Sequence, residues 1–120
     1  MNHMRDRLFL LPPGFEGRGR REYCPECAEI WGLLSYFPAL KESLSISYQP
    51  IERPRSDMID LLGAEHQNCP TLVLYQNSPS YEACGIKREN GQRFIDNARD
   101  IGLYYASRFG LPLPRGHKRD

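Results

Sequence analysis

The sequence predicts one α/β domain, with a mixed four-stranded sheet, helices on both faces and the element order βαβαββα. Short apolar runs bounded by proline or glycine are typical of buried strands, and segments of helical periodicity with recognisable caps lie between them. A length of 120 residues suits one domain with a core of its own. We expect that core to span about residues 8–110, followed by a basic tail over residues 111–120.

The first half of the chain predicts a strand, a helix and a second strand. Residues 8–11 form an apolar run that Pro12 stops, and a Gly- and Arg-rich loop follows. Pro25 fits the first turn of a helix, and Pro38 marks its end. The apolar residues of this helix recur at helical spacing: Ile30, Trp31, Leu34 and Phe37. Residues 44–51 alternate in polarity as a strand does.

The second half predicts a short helix, two strands and a final helix. Ser56 is the predicted N-cap of a helix ended by Gly63, and residues 69–75 form the third strand. We interpret residues 77–89 as a surface insertion in which Cys84 is an exposed thiol. Asn90-Gly91 is a turn signal before the strand at 92–95. The last helix ends at Gly110 and has four predicted inward residues: Ile101, Tyr104, Tyr105 and Phe109.

The predicted connections also set strand directions. Because helical crossovers join the first three strands, we expect those strands to be parallel. The fourth strand follows a turn and is expected to run antiparallel to its neighbour.

Charge and cysteine content limit the function classes. The net charge of +1 gives no bulk attraction to nucleic acid or to an anionic membrane, so we expect neither partner. No stretch has the length of a secretory or transmembrane segment, and we expect a cytoplasmic protein. Thiols stay reduced there, so the four cysteines are predicted to be free, catalytic or metal-bound.

The motif Cys24-Pro25-Glu26-Cys27 lies at the start of the first predicted helix. The thiolate is the nucleophile in disulfide exchange, and the positive end of a helix stabilises it. We therefore assign Cys24 as the nucleophile and Cys27, one turn later, as the resolving thiol. Arg20 and Arg21 add positive charge before the motif, whereas Glu26 opposes it.

These features together resemble the thioredoxin-like superfamily, in particular glutaredoxins and the N-terminal domain of glutathione transferases. Cys24-Pro25-Glu26-Cys27 resembles the glutaredoxin motif, and Cys69-Pro70-Thr71-Leu72-Val73 resembles the segment that carries the superfamily's cis-proline. Residues 90–110 resemble the end of a transferase N-terminal domain. The loop at 12–23, the insertion at 76–89 and the cysteine before Pro70 depart from the usual pattern.

The resemblance implies a cis peptide bond before Pro70 and a thiol–disulfide oxidoreductase or redox sensor without a resident cofactor. Its partner would be a protein disulfide or glutathione. The implied substrate-binding residues are Tyr23, Cys69, Pro70, Asp96 and Asn97. Asp96 and Asn97 match the position that holds the γ-glutamyl end of glutathione, although plain helix capping is the simpler explanation of both.

Two alternatives stay open. Zinc prefers four thiolate or imidazole ligands, and Cys24, Cys27, Cys69 and His66 offer such a set. The third hypothesis is an interaction protein of the same fold, with a vestigial motif and a homodimeric state. Under all three hypotheses Trp31, Tyr104 and Tyr105 are expected to be core aromatics.

Overall fold

The computed structural model describes residues 4–116 and contains a five-stranded mixed sheet with three α-helices. The strands of the main sheet lie in the order β4-β1-β5-β7-β6. Their bounds are Asp6–Leu10 (β1), Leu44–Tyr48 (β4), Thr71–Val73 (β5), Lys87–Glu89 (β6) and Gln92–Ile95 (β7). A separate hairpin is formed by Phe15–Gly17 (β2) and Arg20–Glu22 (β3). The helices are Pro25–Tyr36 (α1), Ser56–Leu62 (α2) and Ala98–Phe109 (α3).

The main sheet has one strand more than the four predicted, and the β2–β3 hairpin was not predicted either. Residues 77–89 were expected to lack regular structure, but β6 lies within them and pairs antiparallel with β7. The exposed, charged β6 gives no alternating pattern, since an edge strand with little buried surface needs none. The turn at Asn90-Gly91 and the strand at 92–95 are confirmed, and both turn residues have positive φ.

The predicted direction of the third strand was also wrong. β1 and β4 are parallel, as expected for strands joined by a helical crossover. β5, however, pairs antiparallel with β1, and it also pairs antiparallel with β7. The segment between α2 and β5 therefore reverses the chain, and the right-handed crossover rule does not apply to this connection.

The two faces of the sheet carry different elements. Side chains alternate along β1, so Asp6, Leu8 and Leu10 share one face and Arg7 and Phe9 the other. Asp6 contacts Tyr105 and Arg108 of α3, so the face that carries Asp6 is the one covered by α3. The helix α1 packs on α3 and covers the same face. α2 lies toward the other face, where its residue Leu61 shares a cavity with Arg7.

The core is made of the residues that these elements bury. Its largest fully buried side chains are Tyr104, Tyr105, Phe9, Phe94, Leu8, Leu10, Ile30, Leu34, Met58, Leu62, Leu72 and Ile95. The predicted burial of Tyr104 and Tyr105 is confirmed, while Trp31 is half-buried against the core. Phe109 was predicted to face inward but is 46% exposed; it lies in the last turn of α3, and its ring stacks on that of Tyr105 at 5.8 Å.

Three local predictions differ in detail. Ser56 is the first residue of α2 rather than its N-cap, which is Arg55. The Gly- and Arg-rich loop contains the β2–β3 hairpin, with Arg18 and Gly19 at positive φ in its turn. Cys84 is buried, not exposed, because the short 3₁₀ helix Glu82–Cys84 packs against α3 and brings its sulfur 3.7 Å from Ser107 Oγ.

The ends of the chain are described only in part. Of the predicted basic tail, residues 111–116 are described, and residues 117–120 lie outside the described range. Leu111 packs on the core, and Gly102 of α3 leaves room beside Pro114. Within residues 4–116 no helix has the length and apolar character that crossing a bilayer requires.

Candidate thiol site

Cys24 lies at the N-cap of α1, as the sequence predicts. Its backbone is extended, with φ −85° and ψ 116°, and Pro25 follows in the first turn. The Cys27 amide donates to Cys24 Sγ over 3.2 Å, so the sulfur takes the position that a capping oxygen usually holds. Cys24 is partly exposed. The N-terminus of α1 thus presents one reachable sulfur that accepts a backbone hydrogen bond.

Cys27 is the buried member of the pair. Its side chain is only 4% exposed, and its sulfur accepts a hydrogen bond from the Leu11 amide over 3.4 Å. Burial raises the pKa of Cys27 to about 12, and the neighbouring sulfurs of Cys24 and Cys69 act in the same direction. The Leu11 hydrogen bond opposes that rise without cancelling it. Cys27 therefore stays protonated at neutral pH.

Cys69 and Pro70 lie beside the motif, joined by the cis peptide bond that the resemblance implies. Cys24 Sγ is 3.9 Å from the Cys69 carbonyl oxygen. The Cys69 sulfur is buried 3.8 Å from Met58 Sδ, and burial raises its pKa to about 11, against the opposing effect of Arg55. All four cysteines are free thiols. The backbone of Cys69, rather than its sulfur, is the part of this residue that lies within hydrogen-bond reach of Cys24 Sγ.

The Glu26 carboxylate makes a hydrogen bond within the protein and does not simply face solvent beside Cys24. Its Oε1 accepts a hydrogen bond from the Ala98 amide at the start of α3, over 3.0 Å. The N-terminus of α3 thereby shares the negative charge that the sequence placed next to the nucleophile. This hydrogen bond links the motif to the last helix across 72 positions of the chain.

Asp96 and Asn97 lie at the same helix end. Asn97 is the N-cap of α3, and its side chain accepts from the Asp100 amide over 2.9 Å, so the predicted capping role is confirmed. Asp96 forms an ion pair with Lys87 over 2.9 Å. Tyr23, which precedes the motif, is 62% exposed. The structure leaves Tyr23 accessible and gives Asp96 and Asn97 partners within the protein.

The His66 side chain contacts Glu89 and Phe94 and does not join the three thiols near α1. Its Nε2 is 3.7 Å from a carboxylate oxygen of Glu89, and its ring lies 4.9 Å from that of Phe94. Within residues 4–116 no group of three or more His, Cys, Asp or Glu side chains is arranged to hold a metal ion. The arginines before the motif lie on the β2–β3 hairpin, where Arg20 pairs with Glu22 over 2.9 Å.

Arg55 supports the site and was not identified from the sequence. Its buried guanidinium donates to the carbonyl oxygens of Pro50, Ile51 and Gln67, over 2.6–2.8 Å. These bonds fix the loop after β4 to the segment that leads into Cys69. The chain has 16 basic residues, and no sequence pattern distinguishes Arg55 from the others. Its partners are backbone oxygens, which every residue has, so no particular neighbouring side chain predicts its burial.

Asp6 is the second residue that the sequence did not mark. Its carboxylate is fully buried and accepts from the Tyr75 amide, Ser78 Oγ, Tyr105 Oη and Arg108, all within 2.7–2.8 Å. It joins β1 to α3 and to the start of the 77–89 segment. A polar residue before an apolar run indicates only a strand boundary, and its four partners come together when the chain folds.

Comparison with known proteins gives a family and no activity. Neither the curated proteins nor the solved structures contain a match to the chain. Residues 5–113 match DUF3088, a family described as a protein of unknown function. The match spans both cysteines of the motif, Pro70 and all three helices. The chain belongs to the DUF3088 family.

Proposed function

We propose that this protein is a thiol–disulfide oxidoreductase or redox sensor that works through Cys24 and Cys27. The observation that carries the proposal is the unequal pair at the start of α1. Cys24 is reachable and accepts a hydrogen bond from a helix amide, whereas Cys27 is buried and protonated. An exchange enzyme requires one such accessible nucleophile and one protected thiol that attacks second.

The chemistry begins with the thiolate of Cys24. It attacks one sulfur of a substrate disulfide, the substrate S–S bond breaks, and the departing thiolate takes up a proton. Cys27 then loses its proton and attacks Cys24 Sγ, which releases the second substrate thiol and leaves a Cys24–Cys27 disulfide. The substrate gains two electrons and the protein loses two, so two further thiols, such as two glutathione molecules that leave as glutathione disulfide, must restore the dithiol.

The proposal includes a thioredoxin-like arrangement of the domain. It is supported by the parallel β1–β4 pair joined through α1, the antiparallel β5 and β7, and the cis peptide bond before β5. It is also supported by the way Cys69 and the motif meet although 45 positions separate Cys24 from Cys69. β6 and the β2–β3 hairpin are additions to that arrangement.

The proposed partner is a protein disulfide, with glutathione as the reductant or as a second substrate. Tyr23 is exposed next to Cys24, and an extended chain laid beside it would meet the backbone of Cys69. Asp96 and Asn97 would have to give up their present partners, Lys87 and Asp100, to hold the end of glutathione. The proposed chemistry fits the reducing cytoplasm, where a dithiol is regenerated.

The test compares three serine variants in the reduction of a small disulfide. Cys24→Ser should abolish turnover because the nucleophile is lost, and Cys84→Ser is the matched control because its buried thiol contacts Ser107, away from the motif. Cys27→Ser should trap a mixed disulfide on Cys24, visible by mass spectrometry. In the wild type the resolving step should accelerate about tenfold per pH unit over the neutral range, because Cys27 must first lose its proton.

Two outcomes would overturn the proposal. If Cys24→Ser leaves every thiol-exchange rate unchanged, the motif is vestigial and the protein acts by binding. If protein purified without chelator holds one zinc ion per chain and has no reactive thiols, the cysteines are ligands. A metal-free protein whose Cys24 is alkylated rapidly at neutral pH supports exchange chemistry.

A further inference from the structure

A cavity of about 630 Å³ lies on the face of the sheet opposite α1 and α3. Arg7 lies on β1, and Arg5 lies in the bend just before that strand, where its Nη1 donates to the Leu44 carbonyl oxygen over 3.5 Å. Both line the cavity. Its volume lies within the range of pockets that hold small molecules.

Arg7 is held in place above the sheet. Its Nε donates to Ser47 Oγ over 3.3 Å, and its guanidinium lies 5.1 Å from the centre of the Phe9 ring. Phe9 is fully buried, so it is a fixed platform. The guanidinium carries four further N–H donors besides the Nε–H that Ser47 accepts.

The positive charge of the cavity has no acidic counterpart among the described residues. Neither Arg5 nor Arg7 takes part in an ion pair within residues 4–116, and no aspartate or glutamate lines the cavity there. Asp6, between the two arginines in sequence, turns to the opposite face and is satisfied by α3. Hydroxyl and amide groups of Ser45, Ser47 and Gln92 complete the polar lining.

We propose that this cavity binds a small phosphorylated molecule. Two guanidinium groups and two serine hydroxyls offer many hydrogen-bond donors, and a phosphate group has several acceptor oxygens that arginine forks match in geometry. The cavity is larger than one phosphate group, and Leu61 and Val73 provide an apolar wall for the rest of the ligand. None of the cysteines lines it, so the site does not depend on the proposed thiol chemistry.

The test titrates inorganic phosphate into the full-length wild-type protein and follows the amide NMR spectrum. Saturable shifts should be concentrated at Arg5, Arg7, Ser45 and Ser47. Arg7→Gln should weaken phosphate binding about tenfold or more, because a charge-assisted contact is lost. Arg99→Gln is the matched control: it removes the same charge from an exposed position on α3 and should leave the affinity unchanged.

Two results would overturn the proposal. One is a shift pattern spread over many exposed arginines, or equal weakening by Arg99→Gln, which shows general attraction to anions. The other combines two observations on the wild-type protein. Phosphate gives no saturable response, and a single-stranded oligonucleotide shifts the signals of the β2–β3 hairpin but not those at the cavity. Because the mapping uses the wild-type protein, it distinguishes these results from specific binding even if Arg7→Gln does not fold.

Discussion

At the scale of single residues, the two most consequential groups outside the motif are buried charges. Asp6 and Arg55 are each less than 6% exposed, and each is satisfied by partners far away in sequence. A buried charge is costly unless its hydrogen bonds are complete, so the fold must supply every partner at once. In the described part of the chain no buried side-chain nitrogen or oxygen lacks a partner.

Asp6→Ala should therefore destabilise the protein strongly. The change leaves Arg108 and Tyr105 without their shared acceptor, and losses of about 3–5 kcal/mol in the free energy of unfolding are typical when one member of a buried pair is removed. Urea denaturation measures the effect. Glu22→Ala, which removes a carboxylate from the exposed Arg20 pair, should cost less than about 1 kcal/mol. Equal losses in the two variants would contradict the role assigned to Asp6.

At the scale of elements, the start of α3 is the point where the candidate site and the fold meet. Asn97 caps the Asp100 amide, and Glu26 reaches from α1 to the Ala98 amide. Two of the otherwise unpaired amides of this helix end are thus satisfied, one locally and one from the motif. The same helix end carries Asp96, whose ion pair ties it to β6.

Asn97→Ala should lower the free energy of unfolding by about 1 kcal/mol, because the local cap of α3 is lost. Asn97→Ser keeps an oxygen in the capping position without placing a second carboxylate beside Asp100, whose Oδ2 accepts from Asn97 Nδ2 over 2.9 Å, and should retain most of the stability. Chemical denaturation compares both with the wild type. If Asn97→Ser loses as much as Asn97→Ala, the side chain acts through something other than the cap.

At the scale of the whole molecule, several groups with strongly raised pKa values share one core. Burial raises the pKa of Cys27 and Tyr104 to about 12 and that of Cys69 to about 11, and it raises the pKa of Tyr105 well above its usual value. In the unfolded chain the thiols lose their protons near pH 9 and the tyrosines near pH 10. The folded protein thus holds more protons than the unfolded chain above that range.

The protein should consequently lose stability as the pH rises from about 9 toward 12. Because the unfolded state binds fewer protons there, the free energy of unfolding falls with pH, and the contribution of these groups is fully present below pH 9. Urea denaturation at a series of alkaline pH values measures the slope. Tyr105→Phe removes one titrating group and should flatten it. An unchanged stability up to pH 11 would contradict the assignment of these groups as neutral in the fold.

The sequence determined the parts of this protein that depend on neighbouring residues. Prolines, glycines and caps marked the ends of α1, α2 and α3, alternation marked β4, and the turn at Asn90-Gly91 marked the start of β7. The position of Cys24 at the start of a helix followed from Pro25 and the apolar spacing after it. Such signals are local, since propensity and capping act within a few residues.

Only the tertiary structure decided what depends on distant partners. The exposed edge strand β6, the antiparallel direction of β5 and the burial of Cys84 are fixed by contacts across the chain. The same holds for the unequal burial of Cys24 and Cys27, which turns a sequence motif into a candidate nucleophile and a protected second thiol. Burial and hydrogen bonding belong to the assembled core, because each requires groups that the chain brings together only when it folds.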